Sequence, residues 1–290
     1  MGLCDEVRRS CAAVARDARD VTIDLGRVGS IGPGPEPELD RDRHYLEGSA
    51  EDVALFTLTL DAINFGSGWF PTLRKRPGCS GYYTVASALT DRFRSDGPWS
   101  PRELAALDAD AVADVLRQER GHELMALYAE ALRQLGAFLG GRAALDVVAA
   151  ADGSAERLAE QLVAGIPLFA DPGFYKRAQI VASDLTLAGV AEFDDVDRLT
   201  IFADNLVPHV LRVDGVLRYS AELAAAIDAG ELLPAGREER EIRACAVVAC
   251  EAIAGDLGVP PRTLDNWLWN RGQEPRYKAI PRHRTRTTAY

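Results

Sequence analysis

The sequence is poorly supplied with the residues of metal and nucleophile chemistry: four histidines and five cysteines in 290 residues. Cys4, Cys11, Cys79, Cys245 and Cys250 are odd in number, and their spacing makes neither a zinc pair nor a disulfide frame. Cys245 and Cys250 read as small hydrophobes within one helix. No apolar run approaches the length that spans a bilayer, and the opening Met-Gly-Leu-Cys-Asp-Glu lacks a secretory pattern, so a cytoplasmic protein without a membrane partner is expected. Positive charge is also short: 33 Lys and Arg against 44 Asp and Glu, a net charge of -11. That balance argues against a nucleic-acid polymer, whose binding needs many cations along one surface. Repeats and low-complexity segments are missing, as are the phosphate loops of Walker or Rossmann spacing, His-Glu-x-x-His and Gly-x-Ser-x-Gly. Only His44, His122, His209 and His283 stand ready for a triad, and His122 reads as part of a solvated face.

What the chain has is helix signals. Ser49 with Asp52 predicts a capping box and a helix through Val53, Leu55, Phe56, Leu58, Leu60 and Ile63, apolar on most sides and central. Ser100-Pro101-Arg102-Glu103 predicts another start. Leu124, Leu127, Tyr128, Leu132, Leu135, Phe138 and Leu139 form an amphipathic stripe closed by Gly140-Gly141. Further helices are expected after Gly153-Ser154 and over 220–229, 237–255 and 260–270. Strand signals are few: Val21 to Leu25, and a second stretch around Tyr82 to Val85. The fold class is therefore mainly α, with minor short strands, and the simplest organisation is a single helical domain over 1–290. Its first 40 residues supply an N-terminal helix and the rigid connector Gly32-Pro33-Gly34-Pro35-Glu36-Pro37.

Two short runs depart from this plain pattern. Asp171-Pro172 predicts a helix running to about Leu187 and stopped by Gly189, with Lys176, Gln179 and Ser183 on one face. In Leu199-Thr-Ile-Phe-Ala-Asp204, a carboxylate ends an apolar run and is either a helix cap or a buried working group; residue type alone favours the cap. The turn Asn64-Phe65-Gly66-Ser67-Gly68-Trp69-Phe70 gathers three aromatics and two glycines that permit close backbone approach. It is either a packed turn or a platform for a flat ring. Charges alternate over 237–243, usually the mark of a solvated helix face, although Glu241, Arg243 and Glu251 lie where they can point inward. The basic residues after Arg262 are commonly explained by a frayed tail; the alternative is a tail folded back to bring cations to a phosphate.

A carboxylate at the end of an apolar run, a lysine on the preceding helix and an aromatic rim suit cleavage of a glycosidic bond to a flat base, with the carboxylate facing an oxocarbenium ion. Several motifs in fixed order sharpen that reading: Asn64-Phe65 with Trp69-Phe70, Phe174 to Gln179, Leu199 to Asp204 followed by Val207-Pro208, Glu241-Ile-Arg243 with Cys245, and Ile280-Pro281-Arg282-His283-Arg284. Together, from about His44 to the C-terminal end, they resemble the queuosine salvage protein family. The resemblance implies a fold similar to the helix-hairpin-helix DNA glycosylases and hydrolysis of queuosine 5′-phosphate to the base queuine. It implies no cofactor and no metal, and a small-molecule nucleotide as partner. Carried onto this chain, it makes Asp204 the carboxylate opposite the ribose and puts Lys176 near the reacting centre. Phe65 and Trp69 would flank the base, Asn64 or Asp184 would read its amide edge, His44 and Tyr45 would close the pocket, and His283 with Arg284 would meet the phosphate. Two positions depart from the family: its common aromatic after the Asp is Asn205 here, and a Gln after Val-Pro is His209. The rival readings are a DNA-glycosylase-like repair enzyme and a non-catalytic binder of queuine or its nucleotide.

Overall fold

A computed structural model describes residues 2–290. Among them are fourteen α-helical segments and one two-stranded sheet, so the chain is mainly helical, as its periodicity predicts. The central helix is Ala50–Ala62, opened by the expected box in which Ser49 and Asp52 cap each other; every residue from Val53 to Ala62 is buried. A helix buried on all sides must satisfy its polar groups locally, and Thr57 and Thr59 do so by donating to the Val53 and Leu55 carbonyls. Four helices pack around it: Gly81–Asp96, Glu123–Leu139, Ala144–Ala149 and Lys176–Leu187. The N-terminal helix Leu3–Arg16 buries Leu3, Cys4, Val7 and Cys11 and packs chiefly on the long helix Arg237–Leu257. Both groups belong to one continuous hydrophobic cluster.

The strand expected near Val21 is present as Val21–Ile23. It pairs antiparallel with Leu217–Tyr219, Val21 opposite Tyr219 and Ile23 opposite Leu217. The second expected strand is not. Tyr82 to Val85 lie in the helix Gly81–Asp96, because Ser80 caps its first turn by accepting from the Tyr83 N–H at 3.2 Å, and that local start overrides the β-prone side chains. The start expected at Asp171-Pro172 also moves. Gly173 and Tyr175 take left-handed backbone angles, and the helix begins only at Lys176. Asp171 is drawn into a bidentate pair with Arg243 at 3.0 and 2.5 Å, and the N–H it still accepts from, at 3.3 Å, is that of Lys176. The basic tail is not frayed. Tyr290 is buried, and its backbone oxygen accepts from the Gly66 N–H at 2.9 Å. The glycines of the aromatic turn make this possible, since a Cβ on Gly68 would lie 2.3 Å from the Thr285 carbonyl oxygen.

Candidate active site

A cavity of about 590 Å³ opens where the central helix ends, between the Lys176–Leu187 helix, the 202–206 turn, the helix Pro261–Arg271 and the tail. The two unusual runs meet beside it. The Gln179 side chain donates to the Phe174 carbonyl and the Thr200 hydroxyl, and its oxygen accepts from the Thr200 N–H at 3.0 Å. This buried amide fixes the Lys176 helix against the strand-like approach to Asp204.

Asp204 lines the cavity and is also a cap: one carboxylate oxygen accepts from the Leu206 and Val207 N–H groups at 2.7 and 3.0 Å. The two readings of this residue are thus compatible, because a carboxylate has a second oxygen. Lys176, buried, extends its ammonium to the backbone and side-chain oxygens of Asn64, at 3.0 and 2.9 Å. Asn64 in turn donates to Asp61 at 3.0 Å. Asp61 is fully buried, and its other oxygen has no partner among the described residues.

Four aspartates therefore surround one lysine: Asp61, Asp184, Asp204 and Asp265. Burial pushes the Asp61 carboxyl up to about 6, against the opposing hydrogen bond from Asn64 and the charge of Lys176. Burial, reinforced by the charges of Asp61 and Asp265, raises Asp184 well above the usual carboxylate range. Asp265 is raised in the same way, by burial first and then by Asp204, although the Phe202 N–H donates to it at 2.9 Å. Burial lowers Lys176, opposed by Asp204 and then Asp61. Shifts of this kind, gathered in one concave site, mark a place where proton position matters.

Aromatic rings supply the rest of the wall: Phe65, Phe70, Tyr82, Tyr83, Phe202 and Trp269. The Trp269 ring stands edge-on to both tyrosines, with centroids at 5.6 and 5.4 Å. His44 is held by two bonds. Its Nδ1 lies 2.8 Å from the Asp40 carbonyl, which can only accept, so the proton sits there and Nε2 accepts from the Tyr82 hydroxyl at 3.0 Å. Phe65 carries the Arg177 guanidinium over its ring at 4.7 Å.

The expected site residues divide cleanly. His44, Asn64, Phe65, Lys176, Asp184 and Asp204 line the cavity together. Tyr45, Trp69, His283 and Arg284 do not. Tyr45, half-buried, packs against the core on Phe56 and Phe93, with centroids at 5.9 and 5.6 Å. Trp69 turns its indole N–H to Glu123 at 2.8 Å. His283 is buried behind the wall, near the Tyr290 ring, where burial and then neighbouring arginines push it down to about 3. Arg284 donates to the Gly230 carbonyl.

Sequence reasoning missed Asp61, Asp265, Tyr82, Trp269 and Arg282. Asp61 becomes a buried acid only through the packing around its helix, and Asp265 and Trp269 share a face only once theirs is docked. The Pro-rich connector was read as a spacer, yet residues 35–42 form one side of the cavity.

Residues 44–290 match the model of the family described as queuosine salvage protein. A protein of Sphaerobacter thermophilus named queuosine 5′-phosphate N-glycosylase/hydrolase is 34% identical, with 100% of this chain and 98% of its own length covered. Proteins of that name from Bos taurus and Mus musculus are 30% and 28% identical, with 98% of both chains covered in each case. With its motifs in family order and its length matched almost throughout, this chain belongs to the queuosine salvage protein family.

Proposed function

We propose that this chain hydrolyses the N-glycosidic bond of queuosine 5′-phosphate, releasing queuine and ribose 5-phosphate. The single observation that carries the reading is Asp204: a carboxylate with one oxygen tied to a helix start and the other left for the cavity, beside a buried lysine. Bond cleavage leaves positive charge on the sugar and negative charge on the base. Asp204 stabilises the first by standing opposite C1′, where a fixed carboxylate in a poorly hydrated site acts far more strongly than in water.

The second charge needs its own partner, because a 7-deazaguanine has carbon where guanine has its easily protonated nitrogen. A neutral carboxyl presents O–H and C=O side by side, the complement of a ring lactam's C=O and N–H. Burial raises Asp184 and Asp265 well above the usual carboxylate range, which favours the protonated form of each. Hydrogen bonds from them strengthen as charge builds on the departing base and so act on rate as well as binding. Water adds its oxygen to C1′ and leaves its proton for the base nitrogen. Tyr82, Phe202 and Trp269 offer apolar faces for the flat ring, and Lys176 holds Asn64 in place while balancing the acids.

The test is direct. Purified protein is mixed with queuosine 5′-phosphate and the free base is quantified. Asp204→Asn keeps the cap, since Asn caps about as well as Asp, and is expected to fold normally while losing about 10³-fold in rate. Turnover near wild type would remove Asp204 from the mechanism.

A further inference from the structure

The central helix ends against two adjacent cations, and the two are used differently. Its last carbonyls have no partners within the helix and must find them elsewhere. Arg177 donates to the Ala62 carbonyl at 2.7 Å and lays its guanidinium over the Phe65 and Phe169 rings, at 4.7 and 4.9 Å, so it is taken up in packing. Lys176 donates to the backbone and side-chain oxygens of Asn64, at 3.0 and 2.9 Å. An ammonium has three N–H groups. The third has no partner among the described residues, and Lys176 lines the same cavity as Asp204. Of the chain's three lysines, Lys75 and Lys278 are exposed and only Lys176 is buried.

The group that keeps Asn64 turned toward Lys176 lies outside the cavity. A primary amide has a donor end and an acceptor end, and turning it over would point the Asn64 Nδ2 at the ammonium. The Asp61 carboxylate opposes that turn, because it accepts from Nδ2 at 3.0 Å and as an anion can only accept. Asp61 sits in the last turn of the central helix, fully buried, does not line the cavity, and has one oxygen without a partner among the described residues. A buried acid left half satisfied weakens the fold, so packing does not account for it.

We infer that Asp61 is a positioning residue for the reaction: through Asn64 it fixes two N–H groups of Lys176 and so aims the third into the cavity, beside Asp204. The inference rests on the reading of that cavity as the place of base release. The charged and titratable groups that face Asp61 are Lys176, Arg177 and Asp184 on one helix and Tyr82 on Gly81–Asp96. On the other helices packed around it, Tyr128 gives its hydroxyl to the Phe65 carbonyl at 2.7 Å and Asp146 is exposed. Asp61 is the acid among them that bonds Asn64, and its carboxyl, pushed up by burial to about 6, is ionised above that pH and neutral below it. An ionised acceptor holds the amide about twice as strongly as a neutral one, so the aim is firm above about 6 and looser below.

Asp61→Asn stands in for the neutral form at every pH, and Asp61→Leu removes the acceptor. Base release from queuosine 5′-phosphate is measured for both against wild type from about pH 8 down to about pH 5, corrected for the folded fraction. At the alkaline end Asp61→Asn is expected to lower kcat about tenfold, the cost of a charged hydrogen bond, with KM within about twofold because Asp61 does not touch the substrate. The ratio of wild type to Asp61→Asn then falls toward one as the pH drops through about 6, where wild type itself takes up the proton. Asp61→Leu lowers kcat further and stays below wild type at both ends. A ratio that is level across the range, or a loss carried by KM, overturns the proposal. A second readout needs no turnover. Three lysines give three side-chain ¹⁵N resonances, and that of Lys176 is the one missing from Lys176→Met. Exchange of its N–H protons with water is expected to quicken about tenfold in Asp61→Leu as Asn64 is released, and unchanged exchange overturns the proposal. Should wild type release no base, the reading of the cavity falls, and the exchange rate alone decides on Asp61. Should Asp61→Leu not fold, the isosteric Asp61→Asn carries both measurements.

Discussion

Two buried charge clusters lie back to back in this protein, one on each side of Ala203 and Asp204, and they are built on opposite principles. Arg243 heads the first. It donates to the Ala203 carbonyl at 2.8 Å, to both oxygens of Asp171 and to Glu239 at 3.3 Å, and its guanidinium lies over the Phe174 ring at 3.9 Å. Burial alone would lower its pKa, but Asp171 and Glu239 more than offset that and raise it. Lys176 heads the second, where four acids crowd one ammonium, three of them shifted upward, and an Asp61 oxygen goes without a partner among the described residues. A saturated network holds the fold, whereas an unsaturated one keeps groups in reserve for something that is not protein.

The sharpest way to break the comparison is to open the saturated side. Asp171→Ala leaves Arg243 buried with only Glu239 for charge, and breaking such a pair typically costs about 3–5 kcal/mol. The denaturation midpoint is expected to fall accordingly, while the folded fraction keeps a kcat close to wild type. Next in size is the unsaturated side. Lys176→Met removes the ammonium that orients Asn64 and balances the acids, and base release should fall by about 100-fold. The fold should lose less than in Asp171→Ala, because Asp61, raised to about 6, can take up a proton in place of the missing charge. If Lys176→Met melts as early as Asp171→Ala and still turns over, the two clusters are not different in kind.

This contrast also explains what was legible in the sequence. Features fixed within a few residues read correctly: the Ser49–Asp52 and Ser100–Glu103 boxes and the amphipathic stripe ending at Gly140. Lys176 and Asp204 stood out because each interrupts an apolar pattern. The reading failed where distant partners compete for a local signal. Asp171 next to Pro172 has the chemistry of a helix start, but it is shared with Arg243, 72 residues away, and the helix it caps begins only at Lys176. One miss was local instead: the Tyr82 run has the side chains of a strand, but Ser80 caps it into a helix. Trp69 looked like a ring platform until Glu123 took its N–H, and composition alone could not distinguish a frayed tail from one whose last residue seats on Gly66. Asp61 is the instructive case, because an acid near a helix end suggests a solvated face, and only packing on every side makes it a buried charge.

The smallest effect is expected at Asp61 itself, and its sign separates the two clusters most finely. In the folded chain this carboxyl titrates at about 6, while in an unfolded chain it titrates near ~4. Between those values the folded state holds the proton and the unfolded state does not, so stability is greatest at the acid end of the window and falls as pH rises through about 6. Asp61→Asn keeps an oxygen to accept from Asn64 and removes the titration. The variant should therefore be more stable than wild type at pH above that window, by about 1–2 kcal/mol, and the advantage should vanish on acidification. His283, held down at about 3, works in the opposite direction, losing stability as pH falls, but it is common to both chains and cancels in the difference. Urea midpoints for the two proteins across that range measure the difference directly. Parallel curves would mean that Asp61 is as well compensated as Arg243, and the division into a saturated and an unsaturated cluster would then fail at the residue that defines it.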